Sequence, residues 1–358
     1  MQKLRIDQRT PAPYRHRSRL RRGVWELTLL LVAITSGVRS ASGQSYDTAP
    51  QRLRVMTWNV EWMFDDNLAD NRSSLAIEQS APSLAYWHAK RAAVAAVLAE
   101  QRPEIVALQE LENEHTLIEI AQRLKSNHGL NYRWAFIPGS DRYTEQDVGL
   151  LIRHGLVNYR RHEQSQPMFD SQQFYSLSKH LIGEFRWDQV DSPLTVMTVH
   201  LRATADAQAI RIRQARLARH WLAPQLQSGQ DVILLGDFNM EQAVQGVDKQ
   251  AGTSGEMAVF GEAEDSQRMI DLLAYLPDTT QSTHAFLKKQ FDRILVSQSL
   301  MVDGPGMDWC FTKIEILENA IVRGQRDGYE HWAQRRTLSI DEFDVSDHHP
   351  VMASFELR

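Results

Sequence analysis

Apolar residues recur along the chain in two rhythms, and each rhythm predicts one kind of element. Seven short runs are rich in aliphatic and β-branched residues and are bounded by turn formers: LRVMTWNVEW (53–62), EIVALQE (104–110), DVGLLIR (147–153), LTVMTVHLR (194–202), DVILLGDFN (231–239), FDRILVS (291–297) and HHPVMASFEL (348–357). Such runs read as buried strands. Between them, helical spacing of apolar positions predicts helices over 85–101, 113–126 and 206–223. The alternation is that of a mixed α/β protein. Three polar stretches, 64–83, 241–268 and 303–346, read as surface insertions in a single domain spanning 52–358, because strand-like runs continue on both sides of each. No internal repeat or low-complexity tract is present.

The polar residues of these runs collect at their ends. Side chains alternate along a strand, so Thr57, Asn59 and Glu61 share one face while Met56, Trp58 and Val60 share the other. Glu110 closes the second run, His200 the fourth, and Asp237 with Asn239, two residues apart, the fifth. Two runs reverse the pattern: Asp292 opens one and Asp347 with His348 opens the last. If these two run antiparallel to the others, all six polar ends meet at one edge of the sheets. Each group alone has an ordinary structural role, as a helix cap, a turn or a solvated strand end. Their joint occurrence points to one site.

Charge changes the picture at the N-terminus. Residues 1–43 are basic, then apolar (LTLLLVAIT), then small, and read as a secretory signal with cleavage near Gly43, with an uncleaved anchor as the alternative; Arg21 and Arg22 fit a twin-arginine signal loosely. This segment holds 9 of the 40 Lys+Arg and 2 of the 45 Asp+Glu, leaving 31 against 43, a net charge of −12 for the remainder. A body this acidic argues against non-specific grip on long duplexes, so a polyanionic substrate must be met locally or through bound cations. The single cysteine, Cys310, excludes an internal disulfide framework and reads as a small buried hydrophobe.

The ordered set TWNVEW, IVALQELE, TVHLRA, LLGDFN, FDRILVS and SDHHPV resembles the endonuclease/exonuclease/phosphatase superfamily, the group of deoxyribonuclease I, over roughly residues 52–358. The resemblance implies a four-layered αββα sandwich, two mixed sheets face to face with helices outside, that hydrolyses phosphoesters with Mg²⁺ or Mn²⁺. It implies Glu110 as the main metal ligand, with Asn59, Glu61 and Asp347 on the metal or its waters. Asp237 and Asn239 correspond to the pair that orients the attacking water, and His200 to a phosphate contact that protonates the leaving oxygen. His348 corresponds to the histidine on the scissile phosphate, oriented by Asp292. His349, where relatives carry other residues, points to the opposite face and reads as structural.

The chemistry agrees with these roles, since a phosphoryl transition state needs a hard cation on oxygen ligands and donor side chains opposite it. Arg202, Arg211, Arg213, Arg216 and Arg219 form a candidate phosphate-facing strip. With 212, 217, 221 and 222 as the core face of that helix, the arginines read as solvated decoration, and Arg202, beside His200, remains as a substrate contact. The expected substrate is nucleic acid, by analogy with the deoxyribonuclease I branch, and the expected enzyme an exported monomer with no obligate protein partner. A sphingomyelinase-like or inositol-phosphate hydrolase is the alternative, with Trp309, Phe311 and Trp332 as a candidate apolar surface, although each of the three reads first as a core-packing residue. A non-enzymatic module would not keep acids and histidines at all six ends.

Overall fold

The computed structural model describes residues 46–240, 255–261, 267–323, 326, 328–339, 341–342 and 344–358. The 1–43 segment and most of the 241–268 loop lie outside them. In chain order the strands are β1 (Arg52–Met63), β2 (Ile105–Leu111), β3 (Arg133–Phe136), β4 (Asp147–Ile152), β5 (Leu156–Arg160), β6 (His180–Phe185), β7 (Leu194–His200), β8 (Asp231–Asp237), β9 (Met269–Asp271), β10 (Asp292–Ser297), β11 (Trp309–Ile316) and β12 (Val351–Leu357). The helices are α1 (Ser74–Gln79), α2 (Leu84–Gln101), α3 (Glu114–His128), α4 (Gln166–Asp170), α5 (Gln208–Gln227), α6 (Gly255–Gly261) and α7 (Tyr329–Trp332). None of these helices is long and apolar enough to cross a membrane.

Two six-stranded mixed sheets form, in the orders β11-β12-β1-β2-β4-β3 and β5-β6-β7-β8-β10-β9. Their facing sides bury one core, including Val55, Ala107, Val196, Leu235, Ile294 and Phe355. The outer face of the first sheet packs Met56, Trp58 and Val60 against Val94 and Leu98 of α2 and Leu117 of α3. The outer face of the second packs Met197 and Leu234 against Leu217 and Leu222 of α5. Four layers follow from side-chain alternation alone, each fully buried aliphatic residue contributing about 1.5–3 kcal/mol.

Register delivers the chemistry. β1 runs parallel to β2 and antiparallel to β12. β7 runs parallel to β8 with His200 opposite Asp237, and β10 runs antiparallel to β8 with Asp292 opposite Asp237. The six polar strand ends therefore lie at one edge, as the alternation predicts. Gly236 is required for this register. Its φ is 145°, and a Cβ there would sit 1.9 Å from the Val199 carbonyl oxygen, so only glycine lets β8 lie this close to β7.

The helices end as their sequences dictate. Ser83 caps α2 through the Tyr86 amide and Asn113 caps α3 through the Thr116 amide, while Gly129 closes α3 at φ 66°.

The insertions are more ordered than composition suggests. The 303–346 stretch contains β11, which pairs with β12 and sends Trp309 fully into the core between the sheets. The 64–83 stretch contains α1. Arg211 is not solvated decoration: it is fully buried, with Nε 2.6 Å from Glu256 Oε1 and Nη1 on the carbonyls of Arg202 and Thr204. The buried stripe of α5 runs through Arg211, Gln214, Leu217 and Leu222, because a partner acid makes one arginine compatible with the core.

Candidate active site

The site lies across the seam between the two sheets. From the first sheet, Asn59 Nδ2 donates to Glu110 Oε1 at 2.9 Å and to Asp237 Oδ2, on the second sheet, at 3.0 Å. Beneath it a polar rung also spans the seam: Thr57 donates to Gln109, which donates to Thr198, each at 3.2 Å. From the second sheet, Asp292 Oδ2 lies 2.8 Å from His348 Nδ1. His200 Nε2 is 3.6 Å from Asp237 Oδ2, and His348 Nε2 is 4.0 Å from Asp347 Oδ1.

Backbone strain concentrates here. Glu61, Trp62, Glu110 and Asn239 have φ of 50°, 42°, 65° and 50°, a region that non-glycine residues rarely occupy and that costs about 1–3 kcal/mol each. The strained turn is over-determined. The Trp62 amide donates to Glu110 Oε2 at 2.8 Å, the Glu61 amide to Asn59 Oδ1 at 2.9 Å and the Asn239 amide to Asp237 Oδ1 at 2.8 Å. Where β1 and β2 lose register, between Asn59 and Met63, these bonds aim the carboxylate of Glu110 at the seam.

Electrostatics divides the two histidines. Burial disfavours a charged His348, but the charge and hydrogen bond of Asp292, with Asp347 and Asp237, outweigh it and raise its pKa well above the usual imidazole range. Burial, reinforced by the charges of Lys179 and His348, lowers His200 well below that range. The acids move up: Glu110 and Asp237 chiefly by burial, and Asp347 by burial together with the charges of Glu61 and Glu110. Desolvated acids crowded against one another are what a bound cation relieves, and hard oxygen donors suit Mg²⁺ or Mn²⁺. The residues present fit such an ion: among the described residues, Glu110 and Asp237 share a cluster with His200, and Asp347 one with His284 and His348, ligand atoms in each lying within 4.8 Å of one another.

Each predicted residue has a definite place. Asn59, Glu110, His200, Asp237, Asn239, Asp292, Asp347 and His348 come together. Glu61 joins them, but its Oε1 is 2.6 Å from Arg335 Nε, and its Oε2 accepts from Trp332 Nε1 and the Asp347 amide, both at 3.2 Å. Arg202 is exposed on the rim, in a cavity shared with His200 and Asp237. His349 turns away, with Nδ1 3.0 Å from the Ser282 carbonyl oxygen.

Three contributors escape sequence reasoning. Lys90 of α2 is buried with Nζ on the Val345 carbonyl at 2.7 Å, and its pKa is lowered by burial against the opposing pull of Glu61 and Asp347. His284 accepts the Phe286 and Leu287 amides on Nδ1, which leaves Nε2–H facing Asp347 Oδ2 at 3.8 Å. Arg335 stacks at 3.7 Å on the ring of Trp332 while holding Glu61. Lysine and arginine in helical or loop sequence carry no signal that separates such roles from solvation.

Residues 56–348 match the endonuclease/exonuclease/phosphatase family. The chain belongs to that family. Solved structures share its fold at low identity. TDP2 of D. rerio, complexed with single strand DNA product, is 18% identical with a TM-score of 0.53, covering 86% of this chain and 100% of its own. The human Nocturnin catalytic domain with bound sulfate is 14% identical, TM-score 0.53, covering 88% and 97%. An endonuclease/exonuclease/phosphatase of Bacteroides vulgatus is 14% identical, TM-score 0.52, covering 86% and 100%. A comparison with curated proteins gives no match. Membership makes hydrolysis of phosphoester bonds the chemistry of this site and a divalent metal the group its acids suit.

Proposed function

We propose that the protein is a metal-dependent phosphodiesterase acting on nucleic acid, exported by its N-terminal segment. The observation that carries the reading is the Asp292–His348 pair facing Asp237 and Glu110 at one sheet edge. Water attacking a phosphodiester builds negative charge on the non-bridging oxygens and needs a proton acceptor on one side and a donor on the other. Asp237, desolvated and held by Asn59 and the Asn239 amide, orients and deprotonates the water. His348, kept protonated by Asp292, meets the phosphate and returns a proton to the leaving oxygen. His200, held neutral, donates only a hydrogen bond, so the proton-donor role passes from His200 to His348. Glu110, Asp347 and Asn59 would hold a divalent ion, which when bound would supply Lewis-acid stabilisation of the phosphate charge.

The single strand DNA in the TDP2 complex supports nucleic acid as the substrate class. The apolar surface that would favour a lipid substrate is weakened, since Trp309 is fully buried and Phe311 packs on Phe355 and Tyr275.

The deciding assay incubates plasmid and oligonucleotide substrates with the wild-type chain and with His348→Ala, in Mg²⁺ or Mn²⁺ and in chelator. Metal-dependent cleavage lost in the variant supports the reading. Release of phosphate or phosphocholine from inositol or lipid substrates, without cleavage of nucleic acid, overturns it. Export is tested by fractionating expressing cells and sequencing the N-terminus, which is expected near Gly43.

A further inference from the structure

The reaction centre opens into a cavity of about 650 Å³, in the range of about 300–1,000 Å³ that holds a single small ligand. Its floor is catalytic: Glu110, His200, Asp237 and His348. Its walls are of another character, with the aromatic residues Trp62, Tyr143 and Tyr175 and the cations Arg142 and Arg202.

The aromatic walls are not core residues that happen to show. Tyr143 is 65% exposed and Tyr175 is 37% exposed. The Arg213 guanidinium lies 5.3 Å from the Tyr175 ring, and its Nη2 bonds the Phe174 carbonyl, which steadies the ring at the rim. Trp62 follows Glu61 in the left-handed region, at φ 42°, a conformation that a bulky side chain rarely adopts. Its amide is fixed on Glu110, and its ring is braced edge-on by Phe64 at 5.3 Å. The indole is thereby held in the wall of the cavity beside the carboxylate that the reaction needs.

A net charge of −12 over residues 44–358 leaves little affinity for long stretches of phosphate. Stacking on aromatic rings supplies affinity that does not depend on phosphate count. A paired base is covered by its neighbours on both faces and cannot enter a cavity of this size, whereas an unpaired one can. Arg142 and Arg202, both exposed, line the same cavity and supply cations for the phosphates that flank such a base.

We propose that this cavity is a subsite for one unpaired nucleobase next to the scissile phosphate, with Trp62 as its stacking wall, so that the enzyme cuts single strands in preference to duplexes. The inference rests on the nucleic-acid reading given above.

The test compares three Mg²⁺-dependent substrates of equal length, a mixed-sequence single strand, its blunt duplex and a single strand of abasic sugar-phosphate units, using the full chain and Trp62→Ala, Trp62→Phe and Tyr143→Ala. The wild type is expected to cleave the base-bearing single strand with kcat/KM about tenfold or more above both other substrates. Trp62→Ala and Tyr143→Ala are expected to collapse the ratio of base-bearing to abasic strand, chiefly through KM, and Trp62→Phe to retain most of it. Tyr143 is too exposed for its truncation to unfold the protein, so the ratio in that variant separates stacking from folding. Equal cleavage of abasic and base-bearing strands by the wild type, or a ratio untouched by either alanine variant, overturns the subsite and leaves the nuclease reading standing. Absence of cleavage of every oligonucleotide by the wild type overturns both.

Discussion

Asp292 opens β10 of the second sheet and His348 lies three residues before β12 of the first, yet Oδ2 and Nδ1 meet at 2.8 Å across the seam. The contact does two jobs: it fixes the ring, and it raises the pKa of His348 despite burial. Asp292→Asn keeps the shape and removes the charge. Turnover is expected to fall about 100-fold or more. The sign of the pH effect follows from the shift: Asp292 raises the pKa, so without it His348 loses its proton at lower pH, and the alkaline limb of the rate profile moves to lower pH. A kcat/KM profile of the two proteins checks this, and an alkaline limb that stays in place would exclude His348 as the titrating group.

Glu110 and Glu61 are both candidate metal acids, but their surroundings differ. Glu110 is held by two donors from β1, the Asn59 side chain and the Trp62 amide, while Glu61 is engaged by Arg335, Trp332 and the Asp347 amide. Glu110→Gln is expected to weaken Mn²⁺ binding by more than about 100-fold, and Glu61→Gln by only about tenfold, in keeping with an outer partner. Titration calorimetry without substrate measures both, and equal losses would place Glu61 on the metal.

Lys90 puts a buried positive charge within reach of the same acids. Lys90→Met leaves the Val345 carbonyl without this donor, which costs about 1–3 kcal/mol of stability in chelator. It also removes a charge that repels an incoming cation, so Mg²⁺ should bind more tightly and restore more stability than in the wild type. Urea unfolding with and without Mg²⁺ reads both effects. A purely structural lysine would give the first and not the second.

His180 opens β6 far from this cluster in role. Its Nδ1–H donates to the Leu177 carbonyl at 2.7 Å, its Nε2 accepts the His162 amide at 3.2 Å, and its ring stacks on Trp221. Burial, with the charge of Arg161, pushes its pKa down to about 3. The folded pKa is depressed, so the stabilisation is complete above the unfolded value of about 6.5 and is lost as pH falls toward 3. Within that window this residue contributes a slope of about 1.4 kcal/mol per pH unit. His180→Gln should be less stable at pH 7 and show a shallower acid slope in denaturant titrations.

The layers and the edge that carries the chemistry were legible because both depend on period-two alternation and on polar residues at strand ends. Asn59, Glu110, Asp237 and His348 each follow or precede an unmistakable apolar run. β11 escaped because Thr312, Lys313 and Glu315 interrupt it, as befits an edge strand with one solvated face. β3 is only four residues long, too short for a periodic signal. Arg211 and Lys90 look like surface cations until their partners are known, and those partners, Glu256 and the Val345 carbonyl, lie 45 and 255 residues away. Long-range pairing of a charge leaves no local mark in sequence.

The bonds from Asn59 to Asp237 and from Asp292 to His348 make the seam a caliper. Each jaw is a whole sheet, and the gap is set by the apolar core between them rather than by the reacting groups. Pressure, cold or dilute denaturant that loosens that core by a fraction of an ångström opens the jaws while every strand remains hydrogen-bonded within its own sheet. Catalysis should therefore fade well before secondary structure does, and a core substitution far from any reacting atom, such as Ile294→Ala, can act as a remote adjustment screw on the spacing of the catalytic pair.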